Sequence, residues 1–176
     1  MKHILVVTGS ARPNSAGNNV VKLVETELEK LEGVQTEVVH ADTLELPFFD
    51  ATHTPSDSAY EIPHQSVRDW SEKVSSADAV VWVMPEYNHS ISGIQKNAID
   101  WLYHEWTDKP LAIVAYGWHE GVNVLESVKL VLKVVKADLR GMVGFTFNKS
   151  IEIDGSAKDA EAIHDKLAPL MKALVA

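Results

Sequence analysis

A chain of 176 residues is long enough for one domain with a sizeable core, and its ordinary apolar share contains no low-complexity stretch. Its 16 basic against 25 acidic residues leave a net charge of −9, which argues against a general nucleic-acid binder but leaves room for a phosphate held by local groups. There is no cysteine, so disulfides, thiolate metal sites and thiol catalysis are excluded, and any redox chemistry must come from a bound cofactor.

The opening, MKHILVVTGS, has too short an apolar run for a signal peptide. No run approaches the roughly 20 apolar residues of a membrane span, so the expectation is a soluble, cytoplasmic protein. Ile4-Leu5-Val6-Val7, within His3 to Thr8, reads as a buried strand. A loop of small and hydroxyl residues follows, Gly9-Ser10-Ala11-Arg12-Pro13-Asn14-Ser15. Val20, Val21, Val24, Leu28 and Leu31 then keep helical spacing, and Gly33 is a stop signal. Val34 to Ala41 reads as a second strand, parallel to the first through a right-handed crossover.

Asp42 to Pro63 is irregular and carries three prolines. Leu44, Leu46, Phe48 and Phe49 should pin part of it to the body. It is either a surface excursion with an aromatic anchor or a substrate lid. A helix is predicted from about His64 to Ser76, with Ser66 and Asp69 as its cap and Val67, Trp70 and Val74 as its buried face.

Ala79 to Met84 is short, rich in β-branched residues and uncharged, the pattern of a strand buried on both faces. Pro85 should end its pairing, having no N–H to donate. Glu86 to Ser90 is polar and turn-like. Ser92 and Gln95 then have capping-box spacing, with Ser92 as N-cap and Gln95 reaching back, ahead of a helix that buries Ile94, Ala98, Trp101 and Leu102. Within it, Lys96 and Asp100 should pair on the surface and Asn97 should bond backbone. Leu111 to Tyr116 reads as a fourth strand running into Gly117-Trp118-His119-Glu120-Gly121. The spacing of Val124, Val128, Val131, Leu132 and Val135 predicts a helix, as do the lysines near its C-terminus. Gly141 to Phe147 reads as a fifth strand. Ser156 is expected to cap a last helix reaching Val175, which Pro169 should kink or restart.

Five strands alternating with five helices make a single α/β domain, residues 1–176, with a parallel sheet in order 2-1-3-4-5 and helices on both faces. In that order the loops after strands 1, 3 and 4 share one crevice. The first could cradle a phosphate through Ser10, Ser15, the backbone N–H groups, a helix N-terminus and the charge of Arg12; otherwise it is a hydroxyl-rich turn with Arg12 in water. The second, with Tyr87, Asn88 and backbone groups after Pro85, suits a flat hydrogen-bonding ring; otherwise it is a polar turn closing a strand. In the third, Gly117 permits close approach and Trp118 could wall a pocket or merely cover the sheet end. His119 is the nearby imidazole and the candidate acid of this loop. Neither GxGxxG nor GxxxxGK[ST] is present.

Gly9-Ser10-x-Arg12-x-x-Ser15 after the first strand and Pro85-Glu86-Tyr87-Asn88-x-Ser90-x-x-Gly93-x-x-Lys96-Asn97-Ala98-Ile99-Asp100-Trp101 after the third resemble the NADPH-dependent FMN reductase family, flavodoxin-like flavoproteins that include quinone and azo-dye reductases. The resemblance spans nearly the whole chain. It implies a three-layer flavodoxin-like sandwich holding FMN, with NADPH or NADH as co-substrate and a small-molecule acceptor: a quinone, an azo compound, free flavin or a metal oxyanion. It points to Ser10, Arg12 and Ser15 at the FMN phosphate, with Gly17 and Asn18 beside them. Pro85, Glu86, Tyr87 and Asn88 would line the isoalloxazine, and Gly117 and Trp118 would close its other side. It also implies a homodimer or homotetramer. Ser92 and Gln95 depart from the family's usual proline and leucine, and Gly17 stands where an asparagine is common. No catalytic side chain and no metal ligand is assigned.

The alternatives are an electron carrier that binds FMN without nicotinamide turnover, a serine hydrolase using Ser10, and a phosphoacceptor regulator. G-x-S-x-G is absent, Thr8-Gly9-Ser10 offers no acidic residue, and the eight histidines form no H-E-x-x-H.

Overall fold

In the computed structural model, which describes all of residues 1–176, β1 (Lys2–Thr8), β2 (Val34–His40), β3 (Ala79–Pro85), β4 (Pro110–Gly117) and β5 (Asp138–Thr146) form one parallel sheet in the order β2-β1-β3-β4-β5. Five α-helices connect or follow them: α1 (Gly17–Leu28), α2 (Gln65–Ser76), α3 (Gly93–Asp100), α4 (Val122–Val135) and α5 (Ala160–Val175). The chain is a flavodoxin-like α/β sandwich.

Alternation along β3 divides the core between two layers. Val80, Trp82 and Met84 face the layer built by α2, α3 and α4, where Trp70, Trp101 and Trp106 are also buried. Ala79, Val81 and Val83 face the layer of α1 and α5, against Val20, Val24, Leu28, Leu167 and Met171. β3 is buried along its whole length, which is why its sequence reads as a continuous apolar run instead of alternating.

Pro85 ends the pairing, as expected, although it is itself still paired, opposite Tyr116. The next N–H, that of Glu86, donates to Tyr116 O at 3.2 Å. Several other local expectations are corrected. Neither Ser66 nor Asp69 caps α2. His64 occupies the N-cap without a side-chain bond, and Asp69 accepts from Gln65 at 2.6 Å. α5 is capped by Asp159, whose Oδ1 accepts the Ala162 N–H at 3.0 Å, while Ser156 is spent on Asp154 Oδ1 at 2.6 Å. α5 passes through Pro169 as one element, with the proline on its exposed side. β5 starts at Asp138, and its extra residue near Arg140 is taken up as a bulge opposite Leu111 and Ala112.

The irregular segment is tied down chiefly through α3 and the residue that ends it. Asn97 Nδ2 and Trp101 Nε1 both donate to Pro47 O, at 2.9 and 2.8 Å, and Tyr60 OH donates to Trp101 O at 2.8 Å. Leu44 and Leu46 pack on the core and Phe49 meets Trp101 edge-on. Phe48 does not pin the segment; it is 86% exposed. The expected surface pair forms, with Lys96 Nζ 2.6 Å from Asp100 Oδ2.

Candidate active site

α1 leaves β1 towards one face of the sheet and α3 leaves β3 towards the other, so a crevice opens at the C-terminal ends of these two adjacent strands. A cleft of about 850 Å³ lies there. Arg12 and Ser15 border it from the first loop, Pro85, Glu86 and Tyr87 from the second, and Gly117 and Trp118 from the third. A second hollow, of about 700 Å³, lies under Asp50–His64, away from these strand ends.

The first loop presents donors with nothing to bond. The backbone N–H groups of Ser10, Ala11, Asn14, Ser15 and Ala16 have no acceptor within the chain. Arg12 makes no ion pair and is exposed. The first turn of α1 holds no acidic residue, so its N-terminal dipole meets no opposing charge. Asn14 takes a left-handed conformation (φ 54°), which turns the chain back towards the helix. Ser10 Oγ lies 2.7 Å from Tyr87 OH and accepts the Arg12 N–H at 3.2 Å. Ser15 Oγ repeats the arrangement with Tyr116 OH at 3.2 Å and the Gly17 N–H at 3.2 Å.

In the second loop, Glu86 borders the cleft and has a structural job as well. Its carboxylate accepts the N–H groups of Asn123 (2.9 Å) and Val124 (3.3 Å) and the Asn123 side-chain amide (3.1 Å). It therefore caps α4, whose own N-cap, Gly121, has no side chain. Burial pushes this carboxyl up, but the bonds from Asn123, Val124 and His89 outweigh it and leave the group below the ordinary carboxylate value. The Glu86 and Tyr87 N–H groups are already bonded, to Tyr116 O and Ser90 O. Unclaimed N–H groups thus begin at Asn88 and His89, both left-handed at φ 49° and 63°.

The third wall is larger than the motif suggested. Trp118 is 62% exposed at the rim and meets Phe147 edge-on at 5.4 Å; Phe147 in turn meets Tyr116 at 6.0 Å. The loop from β5 to α5 adds Ile153 and Asp154 to the lining. Gly155 (φ 84°) holds that loop against the start of α1, where a Cβ would lie 2.1 Å from Ala16 O, and Asn19 Nδ2 donates to Asp154 O at 2.9 Å. Tyr116 is nearly fully buried. Burial pushes its phenol up to about 12, against the opposing effect of the Ser15 bond.

Of the residues singled out from sequence, Arg12, Ser15, Pro85, Glu86, Tyr87, Gly117 and Trp118 share the cleft, and His119 joins them. Ser10 and Asn18 border a shallower depression on the other side of the same loop, alongside Arg12. Gly17 is buried beneath the loop, and Asn88 is exposed outside the cleft. Tyr116, Phe147, Ile153 and Asp154 escaped the sequence reading: a strand-end tyrosine and a distant loop carry no local motif. No three acidic or histidine side chains gather to hold a metal ion.

A flavodoxin-like sheet with unbonded amides in the turn after β1 and an open cleft above β1, β3 and β4 defines a class of α/β protein with a ligand site at its strand ends. The comparisons make it particular: the chain belongs to the NADPH-dependent FMN reductase family, whose model matches residues 2–168. It is similar to the NAD(P)H-dependent FMN reductase ntnL of Nectria sp, at 31% identity over 153 residues, covering 82% of this chain and 76% of that protein. It is also similar to an NADPH azoreductase of Bacillus sp., at 26% identity over 175 residues, 98% of this chain and 88% of that one. Among solved structures, the NAD(P)H:(acceptor) oxidoreductase FerB of Paracoccus denitrificans has the same fold, with a TM-score of 0.72 over 99% of this chain and 98% of its own, at 23% identity. The chain is an FMN-dependent NAD(P)H oxidoreductase. Its residues fit that cofactor: unclaimed N–H groups and an unpaired guanidinium suit a phosphate, and the adjoining cleft has the volume for a planar ring.

Proposed function

We propose that FMN sits with its phosphate on the Ser10–Ala16 loop and its ring between Pro85–Tyr87 and the Gly117–Trp118 turn, and that the acceptor beside it is a quinone or an azo compound. The phosphate seat is carried by one observation, the cluster of unbonded backbone donors next to an unpaired Arg12. The chemistry FMN supplies when bound is transfer of two electrons from NADPH or NADH to the acceptor.

The chain's own part is binding, orientation and exclusion of water. Arg12 and the loop amides neutralise a dianion in an otherwise acidic protein. Pro85 and Gly117 keep the cleft walls free of bulk, while Trp118, Phe147 and Ile153 give its rim an apolar lining. Glu86 holds the second loop and α4 at a fixed separation. No side chain is assigned as proton donor. The azo acceptor is supported by the Bacillus relative's name. A cytoplasmic homodimer or homotetramer completes the proposal, supported by the large apolar side chains left open at Phe48, Leu130 and Val134. No helix is long and apolar enough to cross a membrane.

The test is to load the protein with FMN and mix it with NADPH and, separately, NADH in a stopped-flow spectrometer. Bleaching of the flavin band, followed by reoxidation with a quinone or azo dye, is expected. A flavin that stays oxidised would favour the electron-carrier alternative, and a protein that FMN cannot colour would remove both.

A further inference from the structure

The two serines of the phosphate loop are each held by a tyrosine from another strand end, and the two arrangements match. A hydroxyl has one hydrogen to donate and two lone pairs to accept with. Ser10 Oγ accepts the Arg12 N–H, and Ser15 Oγ accepts the Gly17 N–H, each at 3.2 Å. One lone pair remains on each. Tyr87 OH lies 2.7 Å from the first oxygen and Tyr116 OH 3.2 Å from the second. A phenol is the stronger acid and so the better donor. With both lone pairs filled, each serine hydrogen must point elsewhere, and neither serine has a further acceptor within the chain. The same loop carries the unbonded amides.

We infer that Tyr87 and Tyr116 are positioning residues which, by donating to Ser10 and Ser15, turn both serine hydroxyls outward as ready donors for the FMN phosphate. This rests on the phosphate seat proposed above. It also gives Gly17 a role that needs no contact with cofactor. A Cβ there would lie 2.8 Å from Tyr116 OH, so glycine leaves the space in which that hydroxyl reaches Ser15. Preorganised donors cost no reorganisation when the anion arrives.

The test compares FMN with riboflavin, which lacks the phosphate, by quenching of flavin fluorescence on the apoprotein. Wild type should prefer FMN. Tyr87→Phe and Tyr116→Phe keep the rings, and a cooperative thermal unfolding transition in each is the check on folding. The preference for FMN should fall about five- to tenfold in each. Tyr116→Phe should have no further effect when Ser15 is already alanine, because the tyrosine acts through that serine. An unchanged preference in both variants would overturn the inference, as would a full extra loss on the Ser15→Ala background. A wild-type protein that binds the two flavins equally would instead remove the phosphate seat, and the inference with it.

Discussion

Glu86 Oε2 accepts the Asn123 N–H at 2.9 Å, so a carboxylate from the loop after β3 closes the first turn of a helix that begins 36 residues later at Val122. The bond fastens two walls of the cleft to each other. α4 has no capping side chain of its own, since Gly121 stands at its N-cap.

Removing this cap with Glu86→Ala should destabilise the protein by about 1–2 kcal/mol, read as a lower urea midpoint at an unchanged slope. The effect should depend on pH. The folded carboxyl lies below its ordinary value, so its contribution is fully present above the unfolded value of about 4.3. It is lost as pH falls through the lower folded value. Glu86→Gln should therefore flatten part of the acid limb of the stability curve.

Gly9 and Gln95 should prove mutually exclusive with any added bulk. A Cβ on Gly9 would lie 1.8 Å from Gln95 Cδ, and Gln95 is fully buried with Nε2 bonded to Val83 O at 3.2 Å. Gly9→Ala should cost about 1–3 kcal/mol of overpacking. Adding Gln95→Ala should recover part of that loss, a non-additivity that denaturation of the single and double variants would measure.

Arg12→Ala should weaken FMN binding by about tenfold while leaving riboflavin nearly untouched, since it removes one exposed, unpaired charge beside the loop amides. The salt dependence of FMN binding should become shallower in the variant, which titrations at low and high ionic strength would detect.

Pro169→Ala should stabilise the protein. The proline lies within α5 on its exposed side and denies Asp165 a backbone partner. Restoring that bond without altering the core should contribute about 1–2 kcal/mol, after allowance for the freer unfolded chain. Thermal melts of the two proteins would show it as a higher midpoint.

Strand order, the helical assignment of Val122–Val135 and the convergence of three loops were legible because each rests on local periodicity or on the right-handed crossover. Ser92 was legible as an N-cap, and its Oγ does accept the Gln95 N–H at 3.3 Å. The partner of that box was not. Gln95 reaches across to Val83 O, and Ser92 also donates to Gly9 O at 2.5 Å, so the motif stitches α3 to β1 and β3. The cap of α5 was misread because Ser156 and Asp159 are both good N-cap residues, and a hydrogen bond from Ser156 to Asp154 decides between them. Glu86 and Tyr116 take their roles from partners far away in sequence, Asn123 and Ser15, so no window of residues reveals them.

The most direct test of the phosphate seat follows the backbone amides of the apoprotein by NMR while FMN and then riboflavin are added. The amides of Ser10, Ala11, Asn14, Ser15 and Ala16 should shift strongly with FMN and weakly with riboflavin, while those of Tyr87 and Trp118 respond to both. Amide shifts from FMN that bypass Ser10–Ala16, or that gather instead around Asp50–His64, would contradict the account.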